Sequence, residues 1–278
     1  MNPFQAIFLG IIEGMTEFLP ISSTAHLIIA EKLLNIKSPS SFFTIVIQIG
    51  SIMAAVFFYR SKFKSIFFDT LKLAKKGFSL KKASRNELLG LWILISIIPT
   101  IIIGFIFRKQ VDEWQNSIWL VAVVTILFGV IFYLIENFSK KIKVAKIDMQ
   151  TVSLKQLVIM GVFQGLSIVP GVSRSGVTIA TGLAQNVKMS DSIELSFLMG
   201  VPVIFIAALY KLASSISGLD AGIIFMTFLG LITSFIVGLY SIKIMLGILS
   251  KKGFYPFMIY RVCLGVSIII FILLGIIK

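Results

Sequence analysis

A polar signature occurs twice inside sequence that is otherwise apolar enough to lie in a membrane. The first copy reads Gly10-Ile-Ile-Glu13-Gly14-Met-Thr-Glu17-Phe-Leu-Pro20-Ile-Ser22-Ser23-Thr24-Ala-His26. The second reads Gly161-Val-Phe-Gln164-Gly165-Leu-Ser-Ile-Val-Pro170-Gly-Val-Ser173-Arg174-Ser175-Gly176-Val-Thr178. Gly10, Glu13 and Gly14 align with Gly161, Gln164 and Gly165, and after a one-residue gap Pro20 and Ser23 align with Pro170 and Ser173. Each copy predicts a helix, a proline break, a serine-rich turn and a second helix. Non-helical backbone at membrane depth is tolerated only where protein or water surrounds it. A repeated broken helix also points to a site near the bilayer midplane.

Composition sets the surroundings of these two copies. The chain is 57% hydrophobic and 14% charged, with mean hydropathy +1.00. That excludes an ordinary soluble domain. Six runs approach the roughly 20 apolar residues that a spanning helix needs, at about 43–59, 87–107, 118–136, 192–210, 221–243 and 257–277. The net charge of +14 would suggest nucleic acid in a soluble protein. Here the basic residues cluster between apolar runs, so topology and anionic lipid headgroups account for them, and no nucleic-acid partner is expected. The single cysteine, Cys263, excludes an intramolecular disulfide. The N-terminus does not read as a cleavable signal, because Glu13 and Glu17 interrupt the apolar stretch.

Loop charge gives the topology. Residues 60–85 hold Arg60, Lys62, Lys64, Lys72, Lys75, Lys76, Lys81, Lys82 and Arg85 against Asp69, and 137–155 hold Lys140, Lys141, Lys143, Lys146 and Lys155 against Asp148. Both segments are therefore read as cytoplasmic loops. Lys251 and Lys252 place the 244–256 connection inside as well. The turn near 108–117, with Arg108 and Lys109 balanced by Asp112 and Glu113, and the 211–220 turn, with Lys211 and Asp220, fall outside. Segments 4–34 and 154–189 then enter from opposite sides as re-entrant hairpins. The expected fold is an all-α polytopic membrane protein with six spanning helices, two re-entrant helix-turn-helix hairpins and an inverted-topology repeat. It forms a single integral membrane domain over 1–278, with repeat 1 about 1–136 and repeat 2 about 154–278. Glycine-rich spans such as 221–247 allow helices to pack closely, and a homodimer is one expected partnership.

The hairpins hold an inventory of reactive groups. Glu13 and Glu17 are four apart and share one helical face. Two carboxylates there suit a hard divalent cation, Mg²⁺ or Ca²⁺, or an acid/base pair. Ser22, Ser23 and Thr24 follow Pro20 and fall at a helix N-terminus, where one hydroxyl serves as a cap. His26, the only histidine, lies three residues after Ser23, so that pair offers a nucleophile and its partner. In the second copy, Ser173, Ser175 and Thr178 add donors beside Arg174, a bidentate clamp for phosphate. Metal, arginine and an attacking group make up a phosphoryl-transfer set. In a membrane chain, this predicts a lipid-linked phosphate or diphosphate as substrate. The attacking group stays open between Ser23, His26 and a metal-bound water.

At these residues the chain resembles the undecaprenyl-diphosphate phosphatase family, over nearly its whole length. Val46-Ile-Gln48-Ile-Gly50-Ser51 and Glu194-Leu-Ser196-Phe197-Leu-Met-Gly-Val-Pro202 are similar to family motifs too. The chain departs from the pattern at Ala25, where glycine is commoner, and at Thr44, where the family leads one to expect an acid. The resemblance implies metal-dependent hydrolysis of undecaprenyl diphosphate to the monophosphate and inorganic phosphate. It implies recycling of the carrier for peptidoglycan synthesis, bacitracin resistance, and a site open to the outer side of the bacterial cytoplasmic membrane. By motif, Glu13 and Glu17 would be metal or acid/base residues, Ser23 or His26 the nucleophile or its partner, and Ser173 with Arg174 the phosphate holders.

Two rivals belong to other classes. A transporter or flippase of a lipid phosphate shares the inverted repeat and broken helices. Type 2 phosphatidic-acid phosphatases share a Ser-Arg motif but require two histidines, and this chain has one.

Overall fold

The computed structural model describes residues 1–34, 36, 41–142, 144–215 and 221–277. Lys143 and Asp220, counted in the loop charges above, lie outside the described residues. Helices dominate, and the single β-bridge among the described residues joins Ile147 to Val187.

The first hairpin is α1 (Pro3–Thr16) and α2 (Ser23–Leu33). Asn2 and Gln5 form a capping box before α1, with Pro3 in its first turn. Next come α3 (Ser41–Phe58) and α4 (Arg60–Lys75), bent by 84° at Tyr59. Then follow α5 (Arg85–Ile106), the short α6 (Arg108–Asn116) and α7 (Ile118–Lys141). The second hairpin is α8 (Leu154–Gln164), a 3-10 turn over Gly165–Ile168, and α9 (Arg174–Ala184). The chain ends with α10 (Met189–Ser215), α11 (Ala221–Lys252) and α12 (Tyr255–Leu273).

Among the described residues, five unbroken helices are long and apolar enough to cross a membrane, six if the bent α3–α4 pair counts as one span. The helices of the two hairpins hold 14, 11, 11 and 11 residues, short of the roughly 20 that span a bilayer. Phe105, Leu134, Phe228 and Leu273 are each more than half exposed, as befits helices whose outer faces meet lipid.

Three expectations about connections need correction. The basic segment after Arg60 is not a loop but the amphipathic α4, tied back by Lys62 to Glu194 at 3.0 Å and by Lys76 to Glu87 at 2.7 Å. The 108–117 turn is helical as α6, and α11 runs on through Lys252, so the 244–256 connection shrinks to a tight turn. High net charge hides the helical period of such segments when only apolar runs are sought.

The packing has an internal symmetry. α1 lies on α11, and its counterpart α8 lies on α5; α3 faces α10, and α7 faces α12. Exchanging α1 with α8, α3 with α10, α5 with α11 and α7 with α12 swaps the first two of these pairs and maps the last two each onto itself. The repeated glycines allow this approach. A Cβ on Gly10 would sit 2.6 Å from the Gly230 carbonyl oxygen on α11, and one on Gly161 would sit 1.6 Å from that of Ser96 on α5. Small hydroxyls bridge the same crossings: Ser241 donates to the Met15 carbonyl at 2.7 Å and Thr100 to that of Gly161 at 2.6 Å. The glycines Gly230 and Gly238 of α11 meet Phe43, Ile47, Ala54 and Phe18 within the chain. The close approach these two glycines provide is within the chain.

Candidate functional site

Both hairpins turn by the same device. Ser22 and Ser173 each precede the second helix with positive φ, 73° and 77°. Each caps that helix with its own hydroxyl, which accepts from Ala25 N at 3.4 Å and from Gly176 N at 3.2 Å respectively. Such backbone is uncommon for a residue with a side chain and clusters at functional sites. The structural equivalent of Ser173 is therefore Ser22, one residue from the Ser23 match given by the sequence alignment. The consequence is chemical: Ser23 occupies the position of Arg174.

The tips touch. Gly171 N donates to Ser22 Oγ at 3.2 Å, and Ser175 Oγ donates to the Leu19 carbonyl at 3.3 Å. The hydroxyls of Ser173 and Ser175 share a hydrogen bond of 3.2 Å.

Across this junction runs a charged chain. Arg174 Nη2 meets Glu17 Oε1 at 2.9 Å, with both side chains 10% exposed. Arg174 Nη1 donates to the Ser196 carbonyl at 3.0 Å. The second Glu17 oxygen accepts from Ser23 Oγ at 2.5 Å. Gly200 makes the room, since a Cβ there would lie 1.8 Å from Arg174 Nη1. One turn before Glu17, Glu13 is fully buried and accepts from Ser51 Oγ at 3.3 Å. Its other oxygen, Oε2, has no partner, and neither does the buried Nε of Arg174. Buried polar atoms are normally paired, so an orphan acceptor on one hairpin and an orphan donor on the other point to a place for a ligand.

The structure thus brings Glu13, Glu17, Ser22, Ser23, Ser173, Arg174 and Ser175 together. It places three expected residues otherwise. Thr24 is half-buried one position beyond Ser23. Thr178 uses its hydroxyl inside the second hairpin, donating to Gln164 Oε1 at 3.2 Å and to the Arg174 carbonyl at 2.8 Å. His26 turns from Ser23: its Nδ1 donates to the Ser22 carbonyl at 2.7 Å. In the neutral ring Nε2 is then the acceptor, and it pairs with the Tyr260 hydroxyl at 2.7 Å. Three residues along a helix share a face, yet the ring folded back onto its own turn and stacked on Tyr260, with centroids 5.6 Å apart. Ser23 is paired with Glu17 instead.

Sequence reasoning missed Arg261, which is fully buried on α12. The signal was present: it is an ionisable residue inside an apolar run, the same argument that singled out Glu13. It also missed Ser51 and Ser196 as direct partners of Glu13 and Arg174.

Comparison with known proteins agrees over the full length. The chain is 37% identical to an undecaprenyl-diphosphatase of Methanococcus aeolicus, over 98% of this chain and 99% of that protein. It is 36% identical to one of Caldicellulosiruptor bescii, over 99% of each. It is 32% identical to undecaprenyl-diphosphatase 1 of Pseudoalteromonas translucida, over 99% of this chain and all of that protein. A family described as bacitracin resistance protein BacA matches residues 6–267, and the chain belongs to that family.

Proposed function

We propose that this chain hydrolyses undecaprenyl diphosphate to undecaprenyl phosphate and inorganic phosphate. It thereby recycles the lipid carrier of peptidoglycan synthesis and confers bacitracin resistance. The observation that carries this reading is the Ser23–Glu17–Arg174 chain across two hairpin tips, buried in a bundle of membrane-length helices. The inside placement of the basic segments supports a site open to the outer face of the bacterial cytoplasmic membrane.

In this reading Arg174 exchanges Glu17 for the terminal phosphate, which its orphan Nε is free to reach. Glu17 then takes the proton of Ser23 while Oγ attacks phosphorus. The bond to the lipid monophosphate breaks, and water later releases phosphate from the serine. N–H groups of the α9 N-terminus and the Ser173 and Ser175 hydroxyls face the same charge. His26 is placed to orient the tip through Ser22 and Tyr260 rather than to activate Ser23.

The residues fit a hard cation. Glu13 Oε2 is an unpartnered buried carboxylate oxygen, and Glu17 and Ser51 add oxygen donors. Among the described residues, no group of three or more His, Cys, Asp or Glu side chains is assembled. A Mg²⁺ or Ca²⁺ ion would therefore be held by the two carboxylates Glu13 and Glu17. When bound, such an ion would neutralise charge on the diphosphate oxygens.

The test is phosphate release from undecaprenyl diphosphate by purified protein, with Mg²⁺, Ca²⁺ or EDTA. Metal-dependent release is expected. No release under any condition, with lipid phosphate moving between vesicle leaflets, would favour the transporter that the same symmetric packing suits.

A further inference from the structure

α12 meets the first hairpin through Tyr260, and it also sends one fully buried charged side chain between the two hairpins. Arg261 is 0% exposed. Its Nε donates to the Thr125 carbonyl at 2.9 Å on α7. Its Nη1 donates to the Pro20 carbonyl at 3.0 Å in the first tip and to the Val172 carbonyl at 3.2 Å in the second. Its Nη2 donates to the Gly171 carbonyl, also in the second tip. Among the described residues these partners are carbonyls, and no carboxylate faces it. The guanidinium lies 5.3 Å from the ring centre of Phe132.

A buried cation without an anion is costly unless its donors are satisfied. Here a planar fork of five N–H groups meets three separate pieces of chain at once. The acceptors it takes are those the proline breaks left unpaired at the tips, where no helix supplies a donor. α7 is shaped for it: a Cβ on Gly129 would lie 3.0 Å from the Arg261 Cβ and 3.3 Å from its Nε. The second tip is pressed against the same wall, where a Cβ on Gly171 would meet the Val121 carbonyl oxygen at 2.9 Å.

We propose that Arg261 is a positioning residue that pins the two hairpin tips to each other and to α7. It holds the positive-φ serines Ser22 and Ser173, and therefore Ser23, Glu17 and Arg174, in register before substrate arrives. Lysine cannot replace it, because three donors on one nitrogen cannot span the four carbonyls that the guanidinium reaches from three separate nitrogens. The kinetic part of this inference rests on the phosphatase reading; its structural part does not.

The experiment compares wild type with Arg261→Lys and Gly129→Ala, the second crowding Arg261 without removing its charge. Phosphate release is measured per folded molecule, and hydrogen exchange is followed by mass spectrometry. For Arg261→Lys, kcat is expected to fall about 10²-fold, the loss typical of misplaced reacting groups, with KM within about threefold. Exchange should accelerate in peptides covering 18–25 and 168–176 and stay unchanged in α10 and α11. Gly129→Ala should show the same pattern, weaker. If both variants keep kcat within threefold of wild type, or exchange rises evenly through the bundle, the pin is overturned in favour of a merely structural arginine. Should Arg261→Lys fail to fold, Gly129→Ala decides on the same criteria. If wild-type protein releases no phosphate while the tip peptides still respond, the phosphatase reading fails and the pin stands.

Discussion

The two hairpins share a backbone and differ in what they carry. Each has the glycine pair, the proline break and a positive-φ serine capping its second helix. Where the first has Glu13, the second has Gln164; where the first has Ser23, the second has Arg174. The first tip supplies carboxylates and the hydroxyl that the proposed reading makes the nucleophile, and the second supplies a cation and further hydroxyls. Their contact makes a site that neither tip possesses alone. Both Glu13 and Gln164 are fully buried, but Gln164 is satisfied by Thr100 and Thr178, whereas Glu13 keeps an oxygen without a partner. One turn below the tips, the first copy keeps an unpartnered carboxylate oxygen and the second a paired amide.

Breaking the difference in charge should have the largest effect. Arg174→Ala is expected to lower kcat by about 10³-fold, the upper end for removing one preorganised donor to developing charge, with the protein still folded. The exchange Glu17→Arg with Arg174→Glu sharpens the point. It restores an ion pair between the tips but leaves Ser23 beside a cation, so thermal stability in detergent should recover while phosphate release does not. Recovery of turnover in that double variant would sink the assigned roles.

The next test makes the first hairpin resemble the second. Gln164 shows that an amide is accommodated at this depth, so Glu13→Gln should fold. It should lose about 10²-fold in rate, the low end of what a bound metal contributes, and the residual activity should no longer respond to EDTA. The reverse change, Gln164→Glu, should destabilise instead. Gln164 Nε2 donates to Thr100 Oγ1 at 3.1 Å, and the Thr100 proton is already given to the Gly161 carbonyl. A carboxylate oxygen there would face a lone pair, costing about 1–3 kcal/mol for the unsatisfied group, read as a lower Tm with activity per folded molecule retained.

The repeat was legible in the sequence because it is written in residues with strong backbone consequences. Glycine at Gly10, Gly14, Gly161 and Gly165 and proline at Pro20 and Pro170 restrict geometry whatever surrounds them. The side-chain pairings were less legible. A one-residue difference between the two turns moved the serine match, and only the φ angles of Ser22 and Ser173 reveal it. Helical spacing put His26 beside Ser23, but a ring nitrogen found the nearer Ser22 carbonyl. Arg261 sits far along the chain from both tips, and sequence separation carries no information about which carbonyls a buried guanidinium will meet.

Packing density offers a milder comparison. The second hairpin crosses its neighbour more tightly: the missing Cβ of Gly161 would fall 1.6 Å from a backbone oxygen, against 2.6 Å for Gly10. Gly161→Ala should therefore lower Tm more than Gly10→Ala, each by the roughly 1–3 kcal/mol of an overpacked contact. Equal shifts would mean that α5 yields where α11 does not.

The smallest expected effect lies outside the membrane, where the second hairpin is tied at its base. Asn186 donates to the Ala145 carbonyl at 3.0 Å, and Ile147 bridges to Val187. Asp148 organises this turn, accepting from Gln150 N at 3.0 Å, Thr151 N at 3.1 Å and Thr151 Oγ1 at 3.0 Å, with Lys188 at 3.3 Å. The Thr151 hydrogen bond, and after it Lys188, holds the Asp148 carboxyl below its ordinary value. A carboxyl depressed on folding stabilises above its unfolded pKa of about 4 and loses that contribution as pH falls through the folded value. The Tm difference between wild type and Asp148→Ala should thus be small and constant from neutral pH down to about 5, then shrink below about 4. Because more than a third of the side chain meets solvent, the difference should stay well under that of Gly161→Ala. A difference that grew on acidification would show that the turn is held by something other than this carboxylate.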